Sequence, residues 1–142
     1  MANEFKSMNE RILLAAFKCL ESVAGRTKIQ KLMFLLWQEF GINTYHFELH
    51  YYGPYSQELS DDLEALQGRH VLTETKSSTQ NGRLYSEFKV TAEESPLCER
   101  AYVSLPPAIR DKIQDACARY RSYTPTEIMH YVYKQYPKWK PV

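Results

Sequence analysis

The stretch that most limits the fold is residues 26–40, RTKIQKLMFLLWQEF, which has apolar side chains on almost every side of a helix. With Thr27 as its cap, the spacing predicts a helix over residues 28–40. A helix that lacks a polar face has to be enclosed by the rest of the chain. We therefore expect this helix at the centre of the fold.

A second constraint is Asn81-Gly82, a dipeptide that favours the two-residue turn of a β-hairpin. It separates two predicted strands, at residues 71–76 and 84–91. Between the central helix and this hairpin, residues 45–51 alternate between aromatic or apolar side chains and polar ones. Such alternation predicts a further strand, half-buried, with its apolar face inward.

The joint after that strand contains Gly53-Pro54, which we expect to stop the strand because proline cannot donate to a β-ladder. Ser56 is a suitable N-cap for a helix that ends near residue 67. Leucines at helical spacing follow Ser56 and predict the inward face of that helix.

The remaining elements are predicted to be helical. A first helix covers residues 3–22 and ends at Gly25, which suits a left-handed cap. Three helices follow the hairpin, over residues 92–104, 106–123 and 124–136, and the last opens with a capping box at Thr124 and Glu127. The tail from Lys138 onward is expected to be loosely held.

Helix, helix, strand, helix and hairpin, in that order, is the order of a winged helix. The sequence thus predicts a mostly helical α+β protein with a small β part. Its 142 residues suit a single domain that buries its core without disulfides. Within it, we expect a winged-helix-like core over residues 1–91 and a helical C-terminal extension over residues 92–142 packed on that core.

Three motifs in this chain resemble those of known families. They are a partial K-x-x-K-L-x-[FY] helix, an aromatic strand that runs into G-P-[FY]-S and a leucine-spaced helix, and a helical end with Y-x-x-Y-P. The matched positions are Lys28, Lys31, Leu32, Phe34, Gly53, Pro54, Tyr55, Ser56, Leu59, Leu63, Leu66, Tyr133, Tyr136 and Pro137.

On these motifs, residues 11–137 resemble the YwgA-like family and the related Panacea/SocA-type antitoxin domain. The resemblance implies proteins that neutralise toxins by direct binding, and in some members proteolytic adaptors. It carries over no catalytic residue to this chain. It therefore implies a non-enzymatic interaction domain that acts as an antitoxin, adaptor or phage-defence component.

The predicted helix after Ser56 carries four carboxylates and has no lysine or arginine before Arg69. A helix that reads the major groove lies among phosphates and needs cations, so this helix is poorly suited to DNA. It is either a solvated acidic face or a docking face for a partner protein with a basic, partly apolar surface. The candidate protein-binding residues are Tyr52, Tyr55, Glu58, Asp61 and Asp62.

The alternative function is a DNA-binding transcriptional regulator that uses the wing and a basic patch on the central helix. The formal net charge is only +1, so binding to nucleic acid would depend on local clustering of cations. The candidate DNA-binding residues are Arg26, Lys28, Lys31, Lys76, Arg83 and Lys89.

No nucleophile elbow, P-loop or dinucleotide-binding fingerprint occurs in the sequence, so it predicts neither an enzyme nor a bound cofactor. His46, Glu48 and His50 share one face of the predicted strand, at a spacing that metal ligands use. No further ligand follows them, so we interpret the three as an exposed polar face and expect no metal site.

Eleven tyrosines are available either to pack the C-terminal helices or to form interfaces, and a homodimer through those helices is one such interface. The three cysteines are odd in number and widely spaced, which predicts reduced thiols. No secretory leader pattern or apolar run of about 20 residues occurs. We therefore expect a soluble cytoplasmic protein without a membrane partner.

Overall fold

The computed structural model describes residues 4–78 and 80–142. In those residues it contains six α-helices and five strands. In chain order they are α1 (Met8–Leu20), β1 (Ser22–Ala24), α2 (Arg26–Gln38), β2 (Glu48–His50), β3 (Gly53–Tyr55), α3 (Gln57–Gly68), β4 (Leu72–Ser78), β5 (Leu84–Val90), α4 (Ser95–Ser104), α5 (Pro107–Tyr120) and α6 (Pro125–Gln135). Short 3-10 turns cover Ala92–Glu94 and Pro137–Trp139.

The main sheet has three antiparallel strands in the order β1-β5-β4. Val23 lies opposite Phe88, and Lys76 lies opposite Ser86. A short strand between the first two helices that pairs with the wing is the winged-helix arrangement, so the predicted fold class is confirmed. The predicted hairpin is present, but its last pair is Ser78 opposite Leu84, so residues 79–83 connect the strands and the two-residue turn expected at Asn81-Gly82 is wrong. Gly82 in this connection has a φ of +78°. A second, two-stranded hairpin of β2 and β3 stands between α2 and α3.

Helix α2 lies at the centre of the fold, as its sequence predicts. Every residue from Lys28 to Leu36 is buried. The helix contacts β1, β3 and β5 as well as α5 and α6. It therefore has neighbours from both the winged-helix part and the C-terminal helices, and the two parts share one apolar core.

Tyrosines connect the C-terminal helices to the end of α2. The Tyr131 hydroxyl donates to one oxygen of the Glu39 carboxylate at 2.5 Å, and the Tyr120 hydroxyl donates to the other. Burial raises the pKa of both phenols, and the Glu39 contact raises them further. The rings of Tyr120, Tyr123 and Tyr131 pack against one another at 5.2–5.9 Å. These tyrosines therefore pack the C-terminal helices against the end of α2.

Strand β1 is the element that the sequence pattern misses. The first helix is expected to reach Ser22, but it ends at Leu20, and Glu21 takes a positive φ of 66°. Ser22–Ala24 then pairs with the wing instead. The expected start of that helix at residue 3 lies outside the described residues, and the helix begins after the cap Ser7, whose hydroxyl accepts from the Glu10 N–H.

The expected caps around α2 are wrong. Gly25 does not end α1; with a φ of +89° and a ψ of 153° it is the N-cap residue of α2. Thr27 therefore lies inside the helix. The caps of two other helices are confirmed, because Ser56 accepts from the Leu59 N–H and Thr124 forms the capping box with Glu127.

The prediction of one strand over residues 45–51 holds only for Glu48–His50, and the predicted inward face is wrong in its second half. Tyr45 and Phe47 are buried, but Leu49 and Tyr51 are 44% and 92% exposed. The chain reverses direction at Tyr51-Tyr52, so the Gly-Pro segment expected to stop the strand forms β3 instead. Proline fits there because Pro54 lies opposite Leu49, between the two hydrogen-bonded pairs of the hairpin, where no N–H is required.

The tail and two helix bounds also differ from expectation. Trp139 is half-buried, with its ring 5.1 Å from that of Phe34, so the chain near the C-terminus is packed and not loosely held. Helix α4 begins at Ser95 and keeps Pro96 in its first turn, where a missing N–H is tolerated. Helix α5 ends at Tyr120.

Gly53 provides a test of how closely the second hairpin packs on the tail. Its φ is +95°, and a Cβ atom there would lie 2.8 Å from Cε1 of Tyr133 and 3.3 Å from the Trp139 carbonyl oxygen. Because strain from the positive φ adds to overpacking, we expect Gly53→Ala to lower the free energy of unfolding by about 2–4 kcal/mol. Chemical denaturation measures the loss.

Gly41→Ala is the matched control, since Gly41 has a φ of +69° and open space where its Cβ would lie. It should lose only about 1 kcal/mol, from backbone strain alone. Equal losses in the two variants would contradict the close approach at Gly53.

Candidate protein-docking corner

The hairpin of β2 and β3 ends in two adjacent tyrosines that point away from the core. Tyr51 and Tyr52 are 92% and 68% exposed. Below them, Tyr55 is half-buried and its ring stacks on the His50 ring, with centroids 4.7 Å apart. The turn therefore presents two aromatic rings on a short, supported hairpin.

The outer face of α3 begins one residue after β3. Its exposed side carries Glu58, Asp61 and Glu64, and no lysine or arginine occurs within Gln57–Gly68. The Glu58 carboxylate accepts from the His46 N–H at 3.2 Å, which ties the start of α3 to the segment that leads into the hairpin. We call Tyr51, Tyr52, Glu58, Asp61 and Glu64 the docking corner.

The base of the docking corner is held by polar side chains of α2. The Gln30 amide makes two bonds to Ser56: its Nε2 donates to the Ser56 carbonyl at 3.0 Å, and its Oε1 accepts from the Ser56 N–H at 2.8 Å. Lys31 Nζ donates to the Pro54 carbonyl at 3.0 Å. Buried hydrogen bonds of this kind are costly to break, so they stabilise the joint between hairpin and helix.

Electrostatics at this base are set by burial. Lys31 is almost completely enclosed, and desolvation lowers its pKa to about 8. Desolvation also lowers the pKa of Lys28, with a further contribution from the Arg121 charge nearby. Both amines therefore have their hydrogen bonds inside the protein and are hidden from any ligand at the surface.

Asp62 does not belong to the docking corner, which corrects one predicted site residue. Its side chain is buried, and it accepts from the Tyr45 hydroxyl at 2.7 Å and from Lys6 Nζ at 2.8 Å. Burial first, and then the Asp62 contact, raise the pKa of the Tyr45 phenol. Asp62 thus faces inward on α3 and fastens the helix to the segment before the hairpin.

The exposed face that contains His46, Glu48 and His50 is polar. The Glu48 carboxylate lies 3.4 Å from Nε2 of His46 and 3.9 Å from Nε2 of His50. All three side chains are exposed. Within residues 4–78 and 80–142, no group of three or more His, Cys, Asp or Glu side chains is arranged to hold a metal ion.

The predicted DNA-binding patch on the central helix is not formed. Lys28 and Lys31 are buried, and Lys28 Nζ donates to the Arg121 carbonyl at 2.7 Å. Arg26 is at the surface, but its guanidinium makes two bonds to the Glu74 carboxylate, at 3.0 and 3.1 Å. The amines of Lys28 and Lys31 therefore form hydrogen bonds inside the fold, and the Arg26 guanidinium is paired with Glu74 at the surface.

The cations of the wing are exposed but do not share one face. Lys89 pairs in register with Thr73, whereas Lys76 pairs with Ser86. Positions 86 and 89 of β5 differ by three, so their side chains lie on opposite faces of the sheet. Lys76 and Arg83 line one cavity and Lys89 lines another. The six predicted DNA-binding residues therefore do not form a continuous basic surface.

The sequence prediction does not include three residues of the site. The alternation of residues 45–51 hides the turn and predicts an inward Tyr51. Glu64 lies one helical turn after Asp61 and so shares its exposed face. Gln30 has a usable signal, since a polar side chain amid an almost wholly apolar helix is often a buried hydrogen-bonding group.

Comparison with models of protein families finds no match, and comparison with curated protein sequences finds none either. The likeness to the YwgA-like and Panacea/SocA-type families thus rests on the motifs alone. Among the helices of the described residues, none has the length and apolarity needed to cross a bilayer.

We expect the free energy of unfolding of the wild type to rise above pH 8 relative to that of Lys31→Met. The Lys31 amine of the native protein loses its proton near pH 8, whereas the Lys31 amine of the unfolded chain keeps its proton up to about pH 10.5. The unfolded state therefore binds more protons in this window, which makes folding more favourable as pH rises. The difference in unfolding free energy should grow by about 2 kcal/mol from pH 7 to pH 10.

Chemical denaturation at each pH gives this difference, and Lys112→Met is the control because Lys112 is exposed on α5. The difference for the control should stay flat. A flat difference for Lys31→Met as well would mean that the Lys31 ammonium is not desolvated.

Proposed function

We propose that this protein is a non-enzymatic interaction domain that binds a partner protein through the docking corner. The partner has a basic, partly apolar face that is complementary to the acidic side of α3 and to the two tyrosines. Binding of this kind needs neither a cofactor nor a metal. The proposal keeps Tyr52, Glu58 and Asp61 from the predicted site and adds Tyr51 and Glu64.

The observation that carries the proposal is the exposure of two adjacent tyrosines on a hairpin whose base is clamped. Tyr51 and Tyr52 leave most of their rings in water. Tyrosine and arginine dominate the binding energy of many interfaces, and a rigid aromatic anchor loses little conformational entropy on binding. The Gln30 and Lys31 bonds to the joint supply that rigidity in the free protein.

The acidic face of α3 supports a basic partner and argues against a nucleic acid at that helix. Glu58, Asp61 and Glu64 are exposed at the position where a winged helix presents its recognition helix. Phosphates there would be repelled, whereas lysine and arginine side chains of a protein would be attracted.

The biological setting of the proposal comes from the motif resemblance, which favours an antitoxin, an adaptor or a phage-defence component in the cytoplasm. Cys19, Cys98 and Cys117 are all unpaired, which suits a reducing compartment. A neighbouring gene for a toxin or a nuclease would support this setting.

We expect affinity purification from the native host to recover one protein in stoichiometric amount with the wild type. Tyr51→Ser combined with Tyr52→Ser should lose it, because the anchors are removed. Asp61→Lys should weaken its retention by about tenfold, equivalent to about 1.4 kcal/mol for one rim charge reversed. Val103→Ser, at a 53% exposed apolar position on α4, is the control and should retain the partner.

Recovery of no stoichiometric protein, or equal recovery by the double variant, would contradict the proposal. A gel-shift titration at low salt addresses the DNA-binding alternative. Salt-sensitive binding that is lost when Lys76 and Arg83 both become alanine would favour a regulator instead.

A further inference from the structure

Two of the three cysteines meet where α1 packs against α5. Cys19 lies in the last turn of α1, and Cys117 lies near the end of α5. The Cys117 sulfur is 3.9 Å from the Ala16 carbonyl oxygen, about one turn before Cys19 on α1. Because a helical side chain leans over the turn that precedes it, the Cys19 thiol extends toward the same place. The two thiols accordingly interact with each other, and both are reduced.

The two cysteines differ in how open each is to solvent. Cys117 is completely buried, whereas Cys19 is only half-buried at the end of α1. The third cysteine, Cys98, is buried as well, and burial raises the pKa of its thiol to about 11. A thiol of this kind stays protonated at neutral pH and reacts slowly. A small reagent from the solvent therefore meets Cys19 first.

The surroundings of Cys19 favour its thiolate. The pKa of Cys19 is lowered to about 7, mainly by the hydrogen bond that the Cys117 thiol donates, although burial opposes this effect. The charges of Lys18 and Arg121 act in the same direction as the hydrogen bond. Glu99 acts against them and lies 3.6 Å from Lys18 Nζ. The Arg121 guanidinium is fixed near Cys19, because it donates to the Cys19 carbonyl at 2.7 Å.

Cys117 has the properties of a resolving cysteine, one that reacts only after its neighbour has been oxidised. Its hydrogen bond to Cys19 and its burial raise its pKa, and the charges of Arg121 and Lys28 offset this only in part. The Cys117 thiol therefore keeps its proton and is shielded from oxidants in the solvent. An accessible thiolate beside a second thiol is the arrangement that converts an oxidised cysteine into a disulfide.

We propose that Cys19 is a redox modification site, at which a peroxide converts Cys19 and Cys117 into a disulfide that connects α1 with α5. The Cys19 thiolate attacks one oxygen of the peroxide and breaks the O–O bond, which gives the Cys19 sulfenic acid and a hydroxide or alkoxide ion. The Cys117 sulfur then attacks the Cys19 sulfur and breaks its S–O bond, and the hydroxide leaves with the Cys117 proton as water.

The peroxide is thereby reduced by two electrons, which the two sulfur atoms supply. The disulfide joins the winged-helix core to the C-terminal helices. The site involves none of the residues of the docking corner, so it goes beyond the proposed function and does not depend on it.

The test exposes the full-length reduced protein to hydrogen peroxide at neutral pH, followed by digestion without reductant and mass spectrometry. We expect a single peptide pair joined through Cys19 and Cys117, with loss of two hydrogen atoms and a free thiol at Cys98. Cys98→Ser is the matched control, because it removes a buried cysteine outside the pair. It should form the same disulfide at the wild-type rate.

Two further variants separate the steps of the reaction. Cys117→Ala should accumulate the Cys19 sulfenic acid, so that labelling of Cys19 by dimedone is at least about tenfold stronger than in the wild type. Cys19→Ser should give neither the disulfide nor the dimedone adduct.

The pH dependence of alkylation tests the contact between the thiols. The rate at which iodoacetamide labels Cys19 should reach half its maximum near pH 7 in the wild type. In Cys117→Ala the half-maximal pH should be higher, because the hydrogen-bond donor is lost.

The inference is overturned if peroxide leaves Cys19 and Cys117 of the wild type unlinked, or if Cys98 is oxidised as fast as Cys19. Equal dimedone labelling of Cys19→Ser and Cys117→Ala would also overturn it, as would the same half-maximal pH in the wild type and Cys117→Ala. Should Cys117→Ala fail to fold by circular dichroism, the peptide map of the wild type and the relative rates at Cys19 and Cys98 decide the outcome.

Discussion

Three polar side chains of α2 are kept inside the protein, and the arrangement of the other segments depends on where they bond. Lys28 reaches the Arg121 carbonyl after α5, Gln30 exchanges two bonds with Ser56, and Lys31 reaches the Pro54 carbonyl. Every residue from Lys28 to Leu36 is buried, so these bonds form in surroundings with little water. Loss of one of these hydrogen-bond partners would leave a polar group buried without a hydrogen bond. Such a group destabilises the fold by more than an exposed hydrogen bond stabilises it.

These bonds connect the central helix to the turn after α5 and to the joint between β3 and α3. The Lys28 bond stabilises the turn between α5 and α6 through the Arg121 carbonyl. The Gln30 and Lys31 bonds stabilise the joint between β3 and α3, which positions the hairpin that carries Tyr51 and Tyr52. The same helix begins at Arg26, directly after its N-cap Gly25. The protein thus presents an exposed aromatic turn and an acidic helix face on one scaffold.

Much of the fold can be predicted from the sequence because its signals are local. The β4–β5 hairpin, the Ser56 cap and the capping box at Thr124 each depend on signals from a few nearby residues, and each is confirmed, although the two-residue turn expected at Asn81-Gly82 is not. Strand β1 could not be predicted in this way, since its three residues are stabilised by a strand more than 60 positions later. The turn at Tyr51-Tyr52 lacks the glycine or asparagine that usually marks a hairpin.

The site was harder to predict for the same reason. A lysine at the start of a helix has the same local pattern whether its amine binds a phosphate or a carbonyl oxygen 93 residues away, as Lys28 does. Asp62 differs from Asp61 in facing inward on α3, where its carboxylate accepts from the Tyr45 hydroxyl. Exposure of the outer acidic face of α3 follows from helical spacing and could therefore be predicted.

The central claim is that the docking corner contacts a partner protein, and site-specific photocrosslinking in the native host tests it most directly. A benzophenone amino acid replaces Tyr52 in one variant and Val103 in another, and cells are irradiated without lysis. The account predicts a single crosslinked protein from position 52, with basic residues at the crosslinked surface, and none from position 103. Crosslinks from position 52 to nucleic acid, or to no macromolecule in cells where the protein is active, would contradict it.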